Sequence, residues 1–269
     1  MTVQYGVQSF DGVMVYLPKK AHEEGINLTP PDFYVPTVGR VYPIGTKAVA
    51  GERIFRYCKA SSTGIQRAAW LAQNRNVYND DGTKDAWEGG STAVATAVGD
   101  ETIIFADTNS SHIANFFQRG WMVMFYAANT RVHQILKNTA GGTTITFTLV
   151  EPIVEADTDG AIFSTIHASH YSKVQQTIAG GSAAASFAGY PLAPFTGSYY
   201  GWLQTWGPAY CIPSPTLGNA NYERTVVGNL DGSIKLVVAV SAGNYHQRVG
   251  YALPQHEDDD QFIMLTIAA

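Results

Sequence analysis

The sequence feature that most constrains the fold is a polar–apolar alternation in short segments separated by turn residues. Residues Thr144–Leu149 alternate threonine with isoleucine, phenylalanine and leucine, and Arg53–Cys58 is interpreted in the same way. A period of two sends successive side chains to opposite faces of a strand. We therefore predict an all-β fold, with more than about one-third strand and less than about one-sixth helix, arranged as antiparallel sandwich or barrel-like domains.

The middle of the chain is predicted to form a meander. Segments 121–126, 131–137 and 143–150 are strand-like, and short loops of the hairpin kind separate them. Two earlier strands are expected at 91–98 and 102–106, on either side of a turn. In the last third of the chain, where Gly207-Pro208 is predicted to be a turn, strands are expected near 199–205, 209–213, 224–228, 234–240, 246–253 and 261–267.

One or two short helices are expected among the strands. Ile65, Ala68, Ala69 and Ala72 have helical spacing, which predicts a helix over 65–73. A second short helix is expected to start at Ser110 or Ser111, which would cap it, and to run through Phe117 before it ends at Gly120.

Residues 1–50 differ from the rest of the chain because they contain five prolines, at 18, 30, 31, 36 and 43. Proline lacks the backbone N–H that a sheet ladder needs, so we predict an extended arm rather than regular strands. Its apolar side chains need cover, either from the chain's own body or from a neighbouring subunit. We expect the neighbour, with the arm as a strap. The residues predicted to contact a neighbouring protein are Phe10, Val13, Tyr16, Phe33, Tyr34 and Val35.

The predicted domain organisation follows these differences in sequence pattern. After the arm at 1–50 we expect a β domain with the hairpin meander over 51–180 and a C-terminal β domain over 187–269. The small-residue stretch Gly180–Ser186 is the expected boundary between the two. The two β domains either pack as one body or stand apart.

Charge is scarce in this chain. Only 14% of the residues are charged, against about 25% in a typical domain. With 15 Tyr, 12 Phe and 5 Trp, this favours a surface covered by other copies, a homo-oligomer; a surface rich in Thr, Ser and Asn is the alternative. The net charge of −5 and the lack of a basic run argue against direct nucleic-acid binding. No apolar run approaches the roughly 20 residues of a membrane span, so no membrane partner is expected.

Few residues carry a pattern for chemistry. No nucleophile elbow, phosphate loop, dinucleotide fingerprint or metal-ligand spacing occurs, so no catalytic, cofactor or metal residue is assigned and the protein is not expected to be an enzyme. Cys58 and Cys211 are predicted to be buried thiols in a reducing cytoplasm. Trp202 and Trp206 lie four positions apart, so a regular strand would point both inward as core or interface aromatics. Beside Tyr199 and Tyr200, they are also a candidate sugar-stacking cluster.

One stretch carries a family resemblance. Tyr199-Tyr200-Gly201-Trp202-Leu203-Gln204-Thr205-Trp206-Gly207-Pro208 resembles a strand and turn of tailed-phage capsid decoration, or cement, proteins. Arg248–Leu253 and Phe262–Ile267 follow in the family's order, and the resemblance extends over roughly 53–269.

The resemblance implies a structural virion protein on the capsid exterior, assembled in the host cytoplasm. The implied partners are the major capsid protein and further copies of the chain, with a trimer expected first and a dimer second. A phage tail or fibre module that binds glycans or receptors is the alternative, and a glycan-active enzyme ranks below it.

Overall fold

The computed structural model is an all-β fold, as the alternation predicts, and all of its described strand pairs are antiparallel. It describes residues 6–24, 26, 28–65, 67–74, 87–106, 112–157, 162–176, 186–213, 224–229, 231–237, 247–253 and 261–269, with backbone only for 87–90. The one helical element bounded in these residues is a 3₁₀ turn at Ala21–Glu24. Contacts divide the chain into two units. Unit 1 contains residues 1–75 and 171–269, and unit 2 contains residues 76–170.

Unit 1 holds a twelve-stranded sheet within the described residues. Its main path runs β1-β2-β3-β4-β14-β18-β17-β15-β16, and β13 branches from β14 to pair with β5, which also pairs with β12. The strands are β1 Val7–Phe10, β2 Val13–Tyr16, β3 Lys47–Ala50, β4 Arg53–Lys59, β5 Ala72–Asn74, β12 Val174–Gln175, β13 Phe187–Pro191, β14 Tyr200–Tyr210, β15 Thr225–Gly228, β16 Ile234–Leu236, β17 Arg248–Ala252 and β18 Phe262–Thr266.

The N-terminal strands form a hairpin, so the expectation that prolines keep this segment out of ladders is wrong for residues 7–16. Asp11 and Gly12 both have positive φ, 45° and 84°, as a two-residue type I′ turn requires. β1 pairs with β2, and β2 with β3. All five prolines follow this hairpin in the chain, so none of them interrupts it.

Among the described residues between β2 and β3, Phe33 and Tyr42 pack on the chain's own sheet, the alternative that the sequence left open. The Phe33 ring stacks on Phe55 with centroids 3.9 Å apart and meets Trp202 edge-on. Tyr42 packs edge-on against both Tyr57 and Trp202. These rings form one side of a core. We call the five of them the aromatic cluster: Phe33, Tyr42, Phe55, Tyr57 and Trp202.

β14 is the longest strand and passes through Gly207-Pro208, where a turn was expected. Its pairing with β4 shifts between Gln204 and Trp206, so the bulge places Trp206 opposite Ile54 while Gln204 lies opposite Phe55. Neighbours in a strand face opposite ways. Trp206 therefore lies on the other face from Trp202, and the prediction of a shared inward face is wrong. Leu203, the neighbour of Trp202 in β14, is also fully buried.

Unit 2 is a six-stranded antiparallel sheet in the order β6-β11-β8-β9-β10-β7 across the part of the chain that is described. Thr92, the residue after the first of these strands, forms one isolated bridge with Phe105, and the Ala93 N–H donates to the Ile104 carbonyl at 2.7 Å. The sheet is curled around a core that includes Phe117, Met122 and Phe147. The strands are β6 Trp87–Ser91, β7 Thr102–Ala106, β8 Trp121–Phe125, β9 Thr130–Asn138, β10 Thr144–Leu149 and β11 Phe163–His167.

Several predicted elements need correction. Both predicted α-helices are wrong within the described residues: the first region holds a bridge at Ile65, turns and β5, and 112–119 is a series of turns. The predicted strand 91–98 is wrong beyond Ser91. The predicted division into domains 51–180 and 187–269 also differs from the two units. β5 precedes unit 2 in the chain and β12 follows it, and these two strands pair with each other, so unit 1 contains residues from both sides of unit 2. The expected linker at 180–186 lies outside the described residues, apart from Ser186.

Candidate functional site

The sheet of unit 1 has one face that the aromatic cluster does not cover. The strand registers align Met14 with Val49, Val49 with Ile54, and Ile54 with Trp206. Further along, Tyr210 lies opposite Phe262. Residues that pair directly point to the same side of an antiparallel sheet, so these side chains share a face. We call it the outer face, and its apolar members are Met14, Tyr16, Val49, Ile54, Trp206, Pro208, Tyr210, Tyr251, Phe262 and Met264.

Large apolar side chains on this outer face remain in contact with solvent. Tyr16, Tyr210 and Phe262 are 43%, 41% and 45% exposed. The other members are exposed or half-buried. Single exposed apolar residues are ordinary on protein surfaces, but a large apolar area across several strands is typical of an interaction surface.

Positive charge interrupts the outer face at Lys47 and Arg56, and again where Val227 pairs with Lys235 and Arg248. Lys47 lies opposite Arg56, and the Lys47 ammonium sits 5.8 Å from the centroid of the Tyr16 ring. The Arg56 guanidinium donates to the Ala269 carbonyl at 2.8 Å and to the Gly45 carbonyl at 3.3 Å. These bonds hold Arg56 against the chain's own backbone, so the surrounding surface is presented mainly as an apolar area.

Unit 2 carries a second apolar surface, on the outside of its curled sheet. Phe163 pairs with Phe125, with ring centroids 5.9 Å apart. Trp121, Phe125 and Val132 are 47%, 43% and 58% exposed. No Asp, Glu, Lys or Arg stands among these nine described positions, which we call the uncharged patch: Phe163, Thr165, His167, Trp121, Val123, Phe125, Thr130, Val132 and Gln134.

The six predicted contact residues divide into two groups. Phe10, Val13 and Phe33 pack against the chain's own core, which leaves each only partly accessible. Tyr16, Tyr34 and Val35 remain exposed. Only this second group keeps enough surface for the contact that the sequence predicts.

The candidate sugar-stacking cluster has a different environment from the one expected. Trp202 is only 3% exposed, because neighbouring rings cover it. A small pocket of about 110 Å³ opens beside it, lined by Asp32, Tyr57 and Tyr200 among others. Ligand sites are usually about 300–1,000 Å³. The pocket is therefore small for a sugar ring.

Hydrogen bonds and ring contacts fix the tyrosines around this pocket. The Val41 N–H donates to the Tyr57 hydroxyl at 3.0 Å, and the Tyr42 hydroxyl donates to the Thr29 carbonyl. The Tyr57 and Tyr200 rings stack at 6.1 Å. Burial, reinforced by Tyr57, raises the pKa of Tyr42 to about 12. Tyr42 is therefore a structural phenol in its neutral form.

Both cysteines are free and fully buried, as predicted. Burial raises the pKa of each thiol, which keeps Cys58 and Cys211 protonated and unreactive. In the described ranges no three His, Cys, Asp or Glu side chains gather as a possible metal site. The described residues also contain no helix of the length and hydropathy needed to cross a membrane.

The chain matches no protein-family model, no curated protein and no solved structure. The outer face and the uncharged patch therefore rest on the geometry of this chain alone.

Sequence reasoning missed both surfaces, although a signal was present. β8 reads Trp-Met-Val-Met-Phe and β18 begins Phe-Ile-Met-Leu, so neither alternates with polar residues. In a strand that is solvated on one face, an unbroken apolar run leaves apolar side chains on the solvent side. That pattern predicts a covered second face.

Proposed function

We propose that this chain is a structural virion protein that stabilises a tailed-phage head as a decoration, or cement, protein on the capsid exterior. The observation that carries the proposal is the uncharged patch of unit 2. Its exposed rings Trp121, Phe125 and Phe163 stand on neighbouring strands, where a rigid sheet fixes their spacing. Such preformed aromatic surfaces are typical anchors of protein–protein interfaces.

The outer face of unit 1 supports the same proposal independently. An accessory shell protein must contact more than one neighbour, so it benefits from separate surfaces on separate units. The proposed partners are the major capsid protein and further copies of this chain. A role in assembly also accounts for the low charge of the sequence, since charged residues are depleted in the core of an interface.

The proposal is tested by placing charge in the uncharged patch. Phe125→Asp combined with Phe163→Asp removes both members of the ring pair from a surface where neither is buried in the isolated chain. We expect the variant to fold normally but to be depleted at least about tenfold on virions, because an unpaired carboxylate at an interface costs several kcal/mol. Quantitative mass spectrometry of purified particles measures the copy number.

Val98→Asp is the matched control, because Val98 is 65% exposed and lies outside the strands of unit 2. This variant should incorporate like the parent. Normal incorporation of the double variant would contradict a capsid contact through this patch. A copy number of only a few per particle would instead favour the tail or fibre role.

The glycan-binding tail or fibre module remains the second candidate. The observation that favours it is the same row of exposed rings, because Trp121 and Phe125 are free to stack on sugars. A glycan array with the purified protein distinguishes the two: specific binding that is lost in Trp121→Ala supports this candidate. Glycan cleavage by the purified protein would instead support the lower-ranked enzyme.

A further inference from the structure

Strand β1 is one end of the main path of the large sheet in unit 1, and β16 is the other end. In the described part of the chain the one neighbour of β1 is β2. Within this hairpin, Gly6 and Leu17 are joined by a bond from the Leu17 N–H to the Gly6 carbonyl at 2.8 Å. Bonded and non-bonded pairs alternate along an antiparallel ladder. Gln8 and Phe10 therefore direct their backbone groups to β2, whereas Val7 and Ser9 direct theirs outward.

This edge lacks the features that usually protect a sheet from further pairing. Natural edges carry charged side chains, prolines or bulges. β1 reads Val-Gln-Ser-Phe, and it keeps an unshifted register with β2 over all four residues. Val7 is 47% exposed, and Phe10 is only partly buried. The edge therefore offers outward backbone groups together with apolar side chains on both of its faces.

We propose that β1 pairs antiparallel with β1 of a second copy of this chain about a two-fold axis. In the register that uses both outward residues, Val7 faces Ser9 of the second copy, and Ser9 faces Val7. Gln8 then lies opposite Gln8 of the second copy at the axis, where the two side-chain amides can bond to each other. The ring of Phe10 lies opposite Gly6, which has no side chain to obstruct it.

A second copy is the partner that this edge fits best. β1 carries no charge, so two identical strands meet without like-charge repulsion. A two-fold pairing also satisfies both open edges at once and leaves neither available for further growth. The result is a dimer, the second of the two oligomers that the sequence analysis considered.

The inference rests on the proposed function for the place where the dimer acts, the virion surface. In the dimer, the unit 1 sheets of the two copies would form one continuous sheet with an outer face on each half. The dimer would therefore present two copies of the outer face. The pairing itself is a property of the free protein, which allows it to be tested without particles.

Disulfide trapping tests the register directly. In a non-hydrogen-bonded antiparallel pair the Cα atoms lie about 4.5 Å apart, within the range that a disulfide spans. Gln8→Cys should therefore form a covalent dimer under mild oxidation. Ser9→Cys is the matched control. In the proposed register Ser9 faces Val7 of the second copy, so the two Ser9 positions are offset by two residues along the strands. Cys58 and Cys211 are fully buried, so they add little background.

A second variant tests the pairing without a cysteine. Ser9→Pro removes an outward N–H and places a ring on the edge, while the bonds of Gln8 and Phe10 to β2 are kept. We expect the dimer dissociation constant, measured by analytical ultracentrifugation, to rise at least about tenfold, because two ladder bonds are lost at the interface. The circular dichroism spectrum should remain that of the parent.

Three results would overturn the inference: equal cross-linking of Gln8→Cys and Ser9→Cys, a parent protein that stays monomeric at every concentration reached, or a dimer that Ser9→Pro leaves intact. The proposed function fails separately. A parent protein that is monomeric in solution yet abundant on virions refutes the β1 pairing alone, whereas a trapped dimer that is absent from virions refutes the capsid role alone.

Discussion

The two units solve the problem of sheet edges in different ways. Unit 2 curls its sheet until Thr92, the residue after β6, bridges Phe105 of β7, which leaves little room for a further strand at that point. Unit 1 keeps an open sheet with β1 at one end. An open edge can bind a partner through its backbone as well as through its side chains. Unit 2 therefore offers mainly a side-chain surface, whereas unit 1 offers both its outer face and the β1 edge.

The units also differ in how their cores are assembled along the chain. Unit 2 is contiguous in sequence, and its core comes from neighbouring hairpins. Unit 1 joins residues from both ends of the chain, and its aromatic cluster needs Phe33 and Tyr42 from the N-terminal segment beside Trp202 from β14. Unit 1 should therefore be the more sensitive of the two to changes near the N-terminus.

Deletion of residues 1–45 should have the largest effect. It removes the hairpin and uncovers Phe55, Tyr57 and Trp202, so we expect unit 1 to unfold, with a loss that exceeds a typical total stability of about 5–15 kcal/mol. Unit 2 should keep its structure. Hydrogen exchange with mass spectrometry would show lost protection in peptides over 187–213 and retained protection over 112–157. Protection in both regions would restore the strap that the sequence predicts.

Trp202→Ala should have the next largest effect, a loss of about 3–5 kcal/mol in the free energy of unfolding, the range for a large buried aromatic. Trp202 contacts Phe33, Tyr42 and Tyr57, so its removal leaves a cavity in the aromatic cluster. Trp121→Ala in unit 2 is the control, since that side chain is 47% exposed. Urea unfolding measures both variants, and equal midpoints would show that the aromatic cluster contributes little.

Gly12→Ala should destabilise the β1–β2 hairpin by about 1–2 kcal/mol, the cost of the left-handed backbone for a residue with a Cβ. Gly12 has a φ of 84° and open space around an added methyl group, so the cost comes from the backbone alone. Gly142→Ala in unit 2 is the control, because Gly142 also has open space but no positive φ. Thermal melts should separate the two, and matched melting temperatures would argue against the type I′ turn.

The smallest effect on the free energy of unfolding is expected from His133 in unit 2, because only the protonation of one imidazole is involved. Burial lowers the pKa of His133, although Glu151 partly opposes this shift. The unfolded chain, with an ordinary pKa of about 6.5, takes up the proton first as the pH falls. The contribution of neutral His133 to the free energy of unfolding is therefore complete above about pH 6.5. It is lost as the pH falls toward the lower pKa of His133 in the folded protein.

His133→Gln should remove this part of the pH dependence of unfolding in unit 2. His167→Gln, which changes an exposed histidine on β11, should leave it in place. Denaturant titrations at a series of pH values measure both variants. Parallel pH profiles for the His133→Gln variant and the parent would show that His133 does not titrate in this way.

Local patterns predicted the parts of the fold that local residues determine. β10 spans Thr144–Leu149 as its alternation indicated, and β7 lies at Thr102–Ala106 as expected. The helical spacing of Ile65 and Ala72 was misleading, because β5 is held by tertiary pairing with β12 and β13. At the N-terminus, Asp11-Gly12 between apolar segments is a strong hairpin signal. The prediction of an extended arm gave more weight to the prolines, and it was wrong for this hairpin.

The candidate surfaces were harder to predict, because they depend on register. The ring pair of Phe125 and Phe163 comes from strands far apart in sequence, and only the pairing of β8 with β11 brings them together. The bulge near Thr205 likewise turned Trp206 to the outer face, against the simple count of four positions. One irregular residue reverses every later side chain in a strand, and no local pattern announced this one.

The pairing of β5 with β12 has a consequence for the modular history and use of this chain. Asn74 lies opposite Val174, so the chain leaves unit 1 and returns to it at adjacent positions in one ladder. Everything between them is, topologically, the loop of a hairpin. Loops whose ends are close tolerate large insertions at little entropic cost. A foreign domain with neighbouring termini could therefore take the place of unit 2, which makes this ladder a natural grafting point for displaying other proteins.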